Sequence, residues 1–392
     1  MISFEQAREI ITHATHVLDT ETVPLQASLN RVLAQDILCD MNLPPFDKSA
    51  MDGFACRRSD LGQELLIVEE IPAGYFPQKK VGPGECARIM TGAPVPNGAD
   101  VVIMVEDTKP SVQNRIRFTG SRTSTNISPK GEDVKADDLV LQRGTLITPA
   151  QMGTLCAAHG KPEVTVYRRP KVSLMATGDE LVEPWQKPPA AGIRNTNSHQ
   201  LSAQLQSLGV EVTYHGIVAD RREDLLAAVR KGGEKCDLLL LTGGVSVGVY
   251  DFVTGALEEA GYRLLFKSVN MQPGKPTIFG TGERGFCCGM PGNPVSTFVV
   301  FELLLKPFLY GLMGHAYKPR EIPAELECDY FSKKPERQTT IPVVFTGPGK
   351  VAPLDYHGSA HIHAIARADA LLVIPAGVQE WKKGTRVYVR PI

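Results

Sequence analysis

The 392-residue sequence lacks several features that would place it in a familiar class of protein. Its 42 lysines and arginines are balanced by 43 aspartates and glutamates, so it lacks the positive charge typical of proteins that bind nucleic acid or acidic membranes. Its eight cysteines form no C-x-x-C pair, which argues against a thiolate zinc site and a dense disulfide framework. We also find no internal repeat and no low-complexity segment.

Long hydrophobic runs are absent as well. The N-terminal sequence MISFEQ has neither the basic start nor the apolar run of a secretory signal. The longest apolar stretches, such as Val101–Val105 and Leu238–Leu241, fall far short of the roughly 18 residues that cross a bilayer. We therefore expect a cytoplasmic protein with reduced cysteines, no membrane partner and no nucleic-acid partner.

Glycine and proline, by contrast, are abundant and spread along the chain. The 36 glycines and 29 prolines predict many turns and short strands. Ser3 and Gln6 form a capping box at the start of an N-terminal helix, and a second helix is predicted to begin at Thr148-Pro149. Between Leu43 and about Gly120, short apolar runs alternate with turn signals, which is typical of a small β module.

Beyond Pro170 the pattern becomes α/β, and from about Pro319 it predicts a small β-barrel or roll. We expect the α/β part to be an open parallel sheet, since Asp237–Leu241 is a continuous aliphatic run. Its predicted strands are Lys171–Ala176, Val210–Val218, Asp237–Leu241 and two near Thr277–Phe279 and Phe286–Gly289, and its predicted helices are one capped by Ser198, Arg222–Lys231, Asp251–Ala260 and one from Pro294.

Polar and glycine-rich segments follow these strands, where ligands bind in open parallel sheets. The loop TGGVSVG (242–248) could present backbone N–H groups to a phosphate, or it could be a tight turn. It is neither a Walker A motif nor a dinucleotide fingerprint. Three carboxylates at strand ends, Glu180, Asp220 and Asp251, suit a Mg²⁺ ion on a substrate phosphate, although helix capping is an alternative for Asp220 and Asp251.

Seven segments in order resemble the MoeA-type molybdopterin molybdenumtransferase family, to which the E domain of gephyrin belongs. They are PFDKSAMDGFA (45–55), RIMTGAPVP (88–96), KGED (130–133), ATGDEL (176–181), TGGVSVG with Asp251, QPGKP (272–276) and MPGNPVS (290–296). Taken alone, the first two segments could be ordinary loops. The resemblance covers essentially the whole chain.

The resemblance implies a multidomain α/β plus β protein that dimerises. An N-terminal helical part (1–43 and 121–168) would carry an inserted β module (44–120). A three-layer molybdopterin-binding α/β domain (169–314) and a C-terminal β-barrel domain (318–392) would follow. The active site would lie between the α/β domain of one subunit and the β module of its partner.

The implied reaction inserts molybdate into adenylylated molybdopterin, with Mg²⁺ as cofactor, and releases AMP. The substrate would come from an upstream molybdopterin adenylyltransferase. Glu180 and Asp251 would hold Mg²⁺, Asp220 would contact the nucleotide, and Asp52 and Thr91 would close the partner's cleft. The residues implied to bind substrate are Gly243, Gly244, Ser246, Gly248, Lys275, Pro291, Gly292, Asn293, Pro294 and Ser359.

The sequence departs from the family pattern at several positions. Many relatives have basic residues before P-G-x-P and an arginine in the first C-terminal strand, where this chain has Asn270, Gln272 and Pro342. The nearest cations are Lys267 and Lys275, with Arg337 and Arg367 further along. His361 and His363, if they lie on a strand, would point to one face and could contact a metal or an oxyanion.

The sequence leaves other functions open. A tungstate-preferring paralogue would fit the neutral substitutions, and a CinA-like nucleotide hydrolase would resemble this chain only over the α/β region. A non-enzymatic scaffold is a further alternative, although the chain lacks the long linker and fused domain that we would expect of one. A dehydrogenase is disfavoured by the missing fingerprint glycines.

Overall fold

The chain folds into two compact units, described by a computed structural model over residues 1–112, 114–244, 252–356 and 358–392. The larger unit comprises Met1–Val23, Asn30–Ala34 and Thr165–Ile392, and the smaller comprises Pro24–Leu29 and Gln35–Val164. The chain passes from one unit to the other within the strands Thr20–Pro24 and Glu163–Tyr167, and also on either side of the segment Asn30–Ala34. The finer four-part division expected from the sequence stays a prediction.

A six-stranded mixed sheet forms the α/β part of the larger unit. In spatial order its strands are Glu211–Val218, Lys171–Thr177, Leu238–Thr242, Gly285–Met290, Ile278–Gly282 and Arg263–Phe266. The first four strands are parallel to one another. Ile278–Gly282 then pairs antiparallel with Gly285–Met290, and Arg263–Phe266 pairs antiparallel with Ile278–Gly282. The parallel setting expected of Asp237–Leu241 is confirmed, and the sheet is extended by an antiparallel hairpin, because the two residues between Gly282 and Gly285 can close only an antiparallel connection.

The larger unit also contains several short helices. In the larger unit they are Phe4–Ala14, Asn197–Ser207, Arg222–Gly232, Phe252–Glu259, Pro294–Val300, Lys306–Leu312 and Ile362–Ala366, with a π-helical turn at Phe301–Leu305. The capping box of Ser3 and Gln6 is present as predicted. The predicted cap at Ser198 was wrong: Thr196 is the N-cap, and the Ser198 N–H donates to Asn195 Oδ1 (3.2 Å), so Asn195 satisfies that end.

The segment Pro294–Leu312 is long and apolar enough to cross a membrane by length and composition alone. However, 67% of its most hydrophobic window is buried inside the protein. Phe308 packs edge-on against Phe279 and Phe286 of the sheet, with ring centroids 5.3 and 4.9 Å away. The apolar composition is thus explained by burial in the core of the larger unit.

A closed five-stranded barrel ends the larger unit, as the sequence predicted. Around the barrel the strands are Gln338–Gly347, Lys350–Pro353, Ile322–Leu326, Arg386–Pro391 and Ala370–Ile374, and the last pairs again with the first. Ten buried residues, including Val343, Val351 and Leu372, fill its core. Beside the barrel, the short strands Tyr330–Phe331 and Glu380–Trp381 pair with each other. In the α/β part, the short strand Leu181–Val182 pairs with Ile193–Arg194. The short strand Met271–Gln272 pairs in parallel with the start of Gln338–Gly347, which ties the α/β part to the barrel.

The smaller unit is built on a second six-stranded sheet. Its strands, in spatial order, are Val101–Met104, Gly53–Cys56, Glu85–Ile89, Glu64–Ile71, Arg115–Phe118 and Thr108–Pro110. The unit also contains the strand pairs Lys48–Ser49 with Ile127–Ser128 and Ile37–Leu38 with Leu139–Leu141, the 3₁₀ turns Leu25–Ala27, Arg58–Asp60 and Val105–Asp107, and the helix Pro149–Ala158. That helix begins at Thr148-Pro149 as predicted.

Candidate active site

One cleft of about 530 Å³ in the larger unit brings together most of the predicted substrate-binding residues that the structure describes. It is lined by Glu180, Gly243, Gly244, Met271, Gln272, Pro273, Gly274, Lys275, Pro276, Pro291, Gly292, Asn293, Ser296, Lys334, Arg337, Tyr356, Gly358 and Ser359. These residues come from loops after three parallel strands, from the segment before the barrel and from loops of the C-terminal part. Pro294 instead begins the helix Pro294–Val300 and does not line the cleft. Ser246, Gly248 and Asp251 lie outside the described residues.

The loop after the central strand Leu238–Thr242 requires glycine. Gly243 has φ +91°, and a Cβ there would lie 2.2 Å from the carbonyl oxygen of Thr177. Its N–H donates to the Met290 carbonyl (3.3 Å), so this donor is engaged within the protein. Gly244 also has a positive φ, +62°, and lies near Asp220. Both glycines thus allow two neighbouring strand ends to approach closely.

The loop that carries Asn293 is held to the barrel part by Ser359. The Asn293 side-chain amide donates to Ser359 Oγ (2.7 Å), and the Val295 N–H donates to the Ser359 carbonyl (3.0 Å). Asn293 is also the N-cap of the helix Pro294–Val300. Two residues that are 66 positions apart in the sequence are therefore fixed side by side in the cleft.

Asn197 supports this loop from beneath, and sequence reasoning missed it. The Asn197 amide is buried and donates to Thr242 Oγ1 (2.9 Å) and to the Gly292 carbonyl (2.7 Å). It therefore links the ends of the central strand and of the strand Gly285–Met290. The signal in the sequence was the polar run RNTNS (194–198), placed directly before a helix.

The carboxylates at the strand ends are arranged differently from one another. Glu180 is exposed and lines the cleft. Asp220 accepts a hydrogen bond from Thr177 Oγ1, and its own N–H donates to Asp179 Oδ1 (3.1 Å). Asp220 does not line the cleft, but a Cβ on Gly244 would lie 3.9 Å from its Oδ1. No group of three His, Cys, Asp or Glu side chains within the described residues is placed to hold a metal ion by itself.

Three cations line the same cleft: Lys275, Lys334 and Arg337. Lys275 follows the glycine of QPGKP and is exposed. Lys334 was not anticipated from the sequence, because it lies in a loop far from any recognised motif. Arg337 lies one residue before the barrel strand Gln338–Gly347, and its Nε is buried with no hydrogen-bond partner in the described part of the chain.

The two histidines near Ser359 do not share a strand face. They belong to the short helix Ile362–Ala366, with His361 as its N-cap and His363 inside it. Residues two apart on a helix do not face each other, so the expectation of one common face was wrong. Neither histidine lines the cleft.

Asp52 and Thr91 form a pair of their own in the smaller unit. The Thr91 N–H and hydroxyl both donate to Asp52 Oδ1, at 2.6 and 2.9 Å. The backbone and side-chain hydrogen bonds from Thr91 lower the pKa of Asp52, so this carboxyl is held in its ionised form. The pairing joins the segments 45–55 and 88–96 that the sequence singled out.

Comparisons with known proteins agree with this arrangement along the whole chain. Residues 2–159 match the family described as "MoeA N-terminal region (domain I and II)". Residues 173–311 match "Probable molybdopterin binding domain", and residues 324–392 match "MoeA C-terminal region (domain IV)". The chain is 34% identical to "Molybdopterin molybdenumtransferase" of Bacillus subtilis, over 99% of this chain and 93% of that one. The chain belongs to the MoeA family.

Further relatives extend the family assignment. The chain is 35% identical to "Molybdopterin molybdenumtransferase" of Staphylococcus aureus, over 98% of this chain and 94% of that one. The crystal structure of the molybdopterin biosynthesis MoeA protein from Pyrococcus horikoshii OT3 superposes with a TM-score of 0.86 at 29% identity, over the full length of both chains. The matches at 2–159 and 324–392 lie outside the α/β part, so a hydrolase related only through that part is disfavoured.

Proposed function

We propose that this protein is a molybdopterin molybdenumtransferase, which inserts molybdate into adenylylated molybdopterin and releases AMP. This is the final step of molybdenum cofactor biosynthesis. The observation that carries the proposal is the cleft, where the loops after three parallel strands, the PGKP segment and Ser359 line one cavity. The full-length similarity to proteins named molybdopterin molybdenumtransferase supports the same reaction.

For this reaction the protein must mainly position anionic substrates and offset their negative charge. Molybdate is a dianion, the pterin phosphates are anionic, and the dithiolene sulfurs must replace oxygens on the metal. Lys275 is an exposed cation of the cleft, and Ser359 and Asn293 supply neutral polar groups. In this proposal these residues hold the substrates next to each other while the pyrophosphate bond breaks.

Mg²⁺ is proposed as the cofactor, and the donor set in the cleft fits it. Mg²⁺ is commonly held by one or two carboxylates together with substrate phosphates. Glu180 is an exposed carboxylate of the cleft, with Asp251 as the second predicted ligand. The ion would neutralise the charge of the pyrophosphate.

A homodimer is part of the proposal, with Asp52 and Thr91 completing the cleft of the partner subunit. Asp52 and Thr91 are both exposed, and the hydrogen bonds of Thr91 fix the Asp52 carboxylate at the surface of the smaller unit. We also propose a cytoplasmic location, and an upstream adenylyltransferase that supplies the nucleotide-bearing pterin.

The direct test is AMP release from adenylylated molybdopterin with Mg²⁺, in the presence and absence of molybdate. We expect release that depends on molybdate in the wild type, and a loss of at least about tenfold in Glu180→Gln and in Asp251→Ala. Glu234→Gln is the control, since Glu234 is exposed and lies outside the cleft. A folded wild type that releases no AMP under any condition would contradict the proposal, and a tungstate arm identifies the preferred oxyanion.

Mixed dimers test the shared site. Asp52→Asn and Glu180→Gln subunits, each inactive alone, should recover about a quarter of wild-type activity when co-expressed equally, because half of the dimers then contain one intact site. No recovery in dimers shown to be mixed would place both residues in the site of one subunit.

A further inference from the structure

Residues 178–196, which we call the Glu180 loop, follow the strand Lys171–Thr177 and carry Glu180 into the cleft. The Glu180 side chain lies directly over Gly178, since a Cβ on this glycine would be 2.7 Å from Glu180 Oε2. The Glu180 carbonyl accepts a hydrogen bond from the Ile193 N–H (2.8 Å) on the returning part of the loop. The position of the Glu180 carboxylate therefore depends on how the whole loop is held.

Apolar packing contributes little to holding the Glu180 loop. None of residues 179–194, all of which the structure describes, is buried. A segment that buries so little apolar surface gains little from the hydrophobic effect and opens easily unless polar contacts fix it. The hydrogen bonds and ion pairs of the loop thus decide how firmly it is held.

Glu183 ties the loop to two neighbouring elements. Its side chain is only 17% exposed. The carboxylate accepts a hydrogen bond from the Tyr214 hydroxyl (2.8 Å) on the edge strand Glu211–Val218, and its Oε2 lies 3.0 Å from His199 Nε2 in the helix Asn197–Ser207. Burial and the hydrogen bond to Glu183 raise the pKa of Tyr214, so the tyrosine keeps its proton and remains the donor.

The partners of Glu183 are themselves fixed. The His199 ring meets the Tyr214 ring edge to face, with centroids 5.6 Å apart, and meets the Trp185 ring of the Glu180 loop in the same way at 5.9 Å. A carboxylate whose donors are held by further contacts has a single preferred position. Glu183 is therefore a rigid attachment point in an otherwise exposed loop.

The same network extends to the residue that supports the cleft from beneath. The Tyr214 hydroxyl accepts a hydrogen bond from the buried side-chain amide of Asn195 (2.7 Å). Asn195 lies two residues before Asn197, which donates to the Gly292 carbonyl (2.7 Å). Glu183 thus connects the Glu180 loop to the helix start from which Asn197 holds another loop of the cleft.

We propose that Glu183 is a positioning residue: held by Tyr214 and His199, it fixes the Glu180 loop so that the Glu180 carboxylate stays in the cleft. Glu183 does not line the cleft, so it acts on the reaction through Glu180. Its effect on the reaction rests on the proposed function. The anchoring of the loop rests on the contacts of Glu183 alone.

Amide hydrogen exchange of the full-length protein tests the anchoring without turnover. Exchange over residues 178–196 should be about tenfold faster or more in Glu183→Ala, and faster also in Tyr214→Phe. Glu183→Gln should lie between wild type and Glu183→Ala, because it keeps an acceptor for Tyr214 but loses the charge. Exchange in the helix Arg222–Gly232 should stay as in wild type, since a general loss of stability would speed both segments.

Two substitutions in the barrel serve as matched controls for these variants. Glu325→Ala and Tyr388→Phe change exposed residues on the strands Ile322–Leu326 and Arg386–Pro391, outside the network of Glu183. Both should leave exchange over residues 178–196 as in wild type.

AMP release tests whether Glu183 acts through Glu180. Glu183→Ala should lower kcat about tenfold and leave KM for molybdate within about twofold of wild type, because the variant displaces Glu180 and leaves the rest of the cleft in place. In the Glu180→Gln background the same substitution should lower kcat by less than about twofold. A purely structural effect would instead multiply with that of Glu180→Gln.

The outcomes separate this inference from the proposed function. Unchanged exchange over residues 178–196 in a folded Glu183→Ala protein overturns the inference, whatever the activity. Losses of kcat that multiply in the double variant also overturn it, because Glu183 then acts independently of Glu180. Faster exchange that is confined to the loop, in a protein whose wild type never releases AMP, supports the anchoring by Glu183 and contradicts the proposed function.

Discussion

The side-chain amide of Asn293 donates a hydrogen bond to the hydroxyl of Ser359 at 2.7 Å, and this contact joins the glycine–proline loop of the α/β part to the barrel part. The backbone of Ser359 reinforces it by accepting from the Val295 N–H. Both residues line the candidate active site. The contact shows that one wall of the cleft depends on the docking of the C-terminal region.

Ser359→Ala should therefore impair activity more than stability. The hydroxyl is an acceptor for an exposed amide, so its loss should cost no more than about 1 kcal/mol of folding free energy. We expect KM for molybdate to rise several-fold, because the loop and Ser359 are no longer held together. Steady-state AMP release measures this, with Ser121→Ala as an exposed control. An unchanged KM would mean that Ser359 has only a packing role.

Gly243→Ala should destabilise the larger unit strongly. A methyl group there would lie 2.2 Å from the Thr177 carbonyl oxygen, at a backbone φ of +91°. We expect a loss of about 2–4 kcal/mol, visible as a lower melting temperature.

Gly255→Ala is the matched comparison for this change. Gly255 lies in the helix Phe252–Glu259, and an added Cβ there would meet nothing within 4 Å. This substitution should raise stability by about 0.5–1 kcal/mol, since alanine is the better helix former. Equal melting temperatures for the two variants would show that the loop relaxes around the new methyl.

Asn197→Ala should lower both the stability of the larger unit and kcat, because it removes the buried side chain that supports the cleft. It leaves the Gly292 carbonyl and the Thr242 hydroxyl without their buried donor, which costs about 1–3 kcal/mol. A double-mutant cycle with Thr242→Val measures the coupling of the two side chains. We expect a coupling energy above about 0.5 kcal/mol and a fall in kcat. A purely additive result would show that Asn197 acts through Gly292 alone.

The ion pair of Asp237 and Arg168 predicts a pH dependence of stability. Burial by itself raises the pKa of Asp237, but two hydrogen bonds from Arg168 and one from the Lys171 N–H outweigh it, so the pKa is lowered. The carboxylate therefore stabilises the fold above its unfolded pKa of about 4. This contribution is lost as the pH falls through the lower folded value.

Asp237→Asn tests that sign. At pH 7 the variant should melt several degrees below the wild type, because Arg168 loses its charged partner. As the pH falls below about 4, the difference between wild type and variant should shrink. A difference that stays constant from pH 7 to pH 3 would contradict the assigned role of Asp237.

Local elements were read well from the sequence because their signals are local. The capping box of Ser3 and the Thr148-Pro149 helix start were confirmed, since each depends on residues within one turn. The Ser198 cap was wrong because the helix begins earlier, at the N-cap Thr196, and the Ser198 N–H itself donates to Asn195. His361 and His363 were wrong as a strand pair, because β patterning around them could not reveal a five-residue helix.

Some residues of the candidate site could be predicted from the sequence, and others could be found only in the structure. Glu180, Gly243, Gly292 and Asn293 could be predicted, because glycine-rich and polar loops that follow strands are visible in the sequence. Asn197, Lys334 and their contacts could not, because a buried amide or an unpaired cation has meaning only once its neighbours are known. The roles of the predicted site residues stay predictions that the assays above test.

The sequence by itself determined the family, the α/β and β character of the chain and several of the loops that line the cleft, because periodicity, turn chemistry and motif order are written along the chain. Only the tertiary structure decided that Asn293 meets Ser359, that the strands Ile278–Gly282 and Arg263–Phe266 pair antiparallel with each other, and that Gln338 and Thr339 pair with Met271 and Gln272 just before the PGKP segment. These contacts join residues far apart in sequence, and such pairings are selected by packing and hydrogen bonding of the whole fold rather than by local preference.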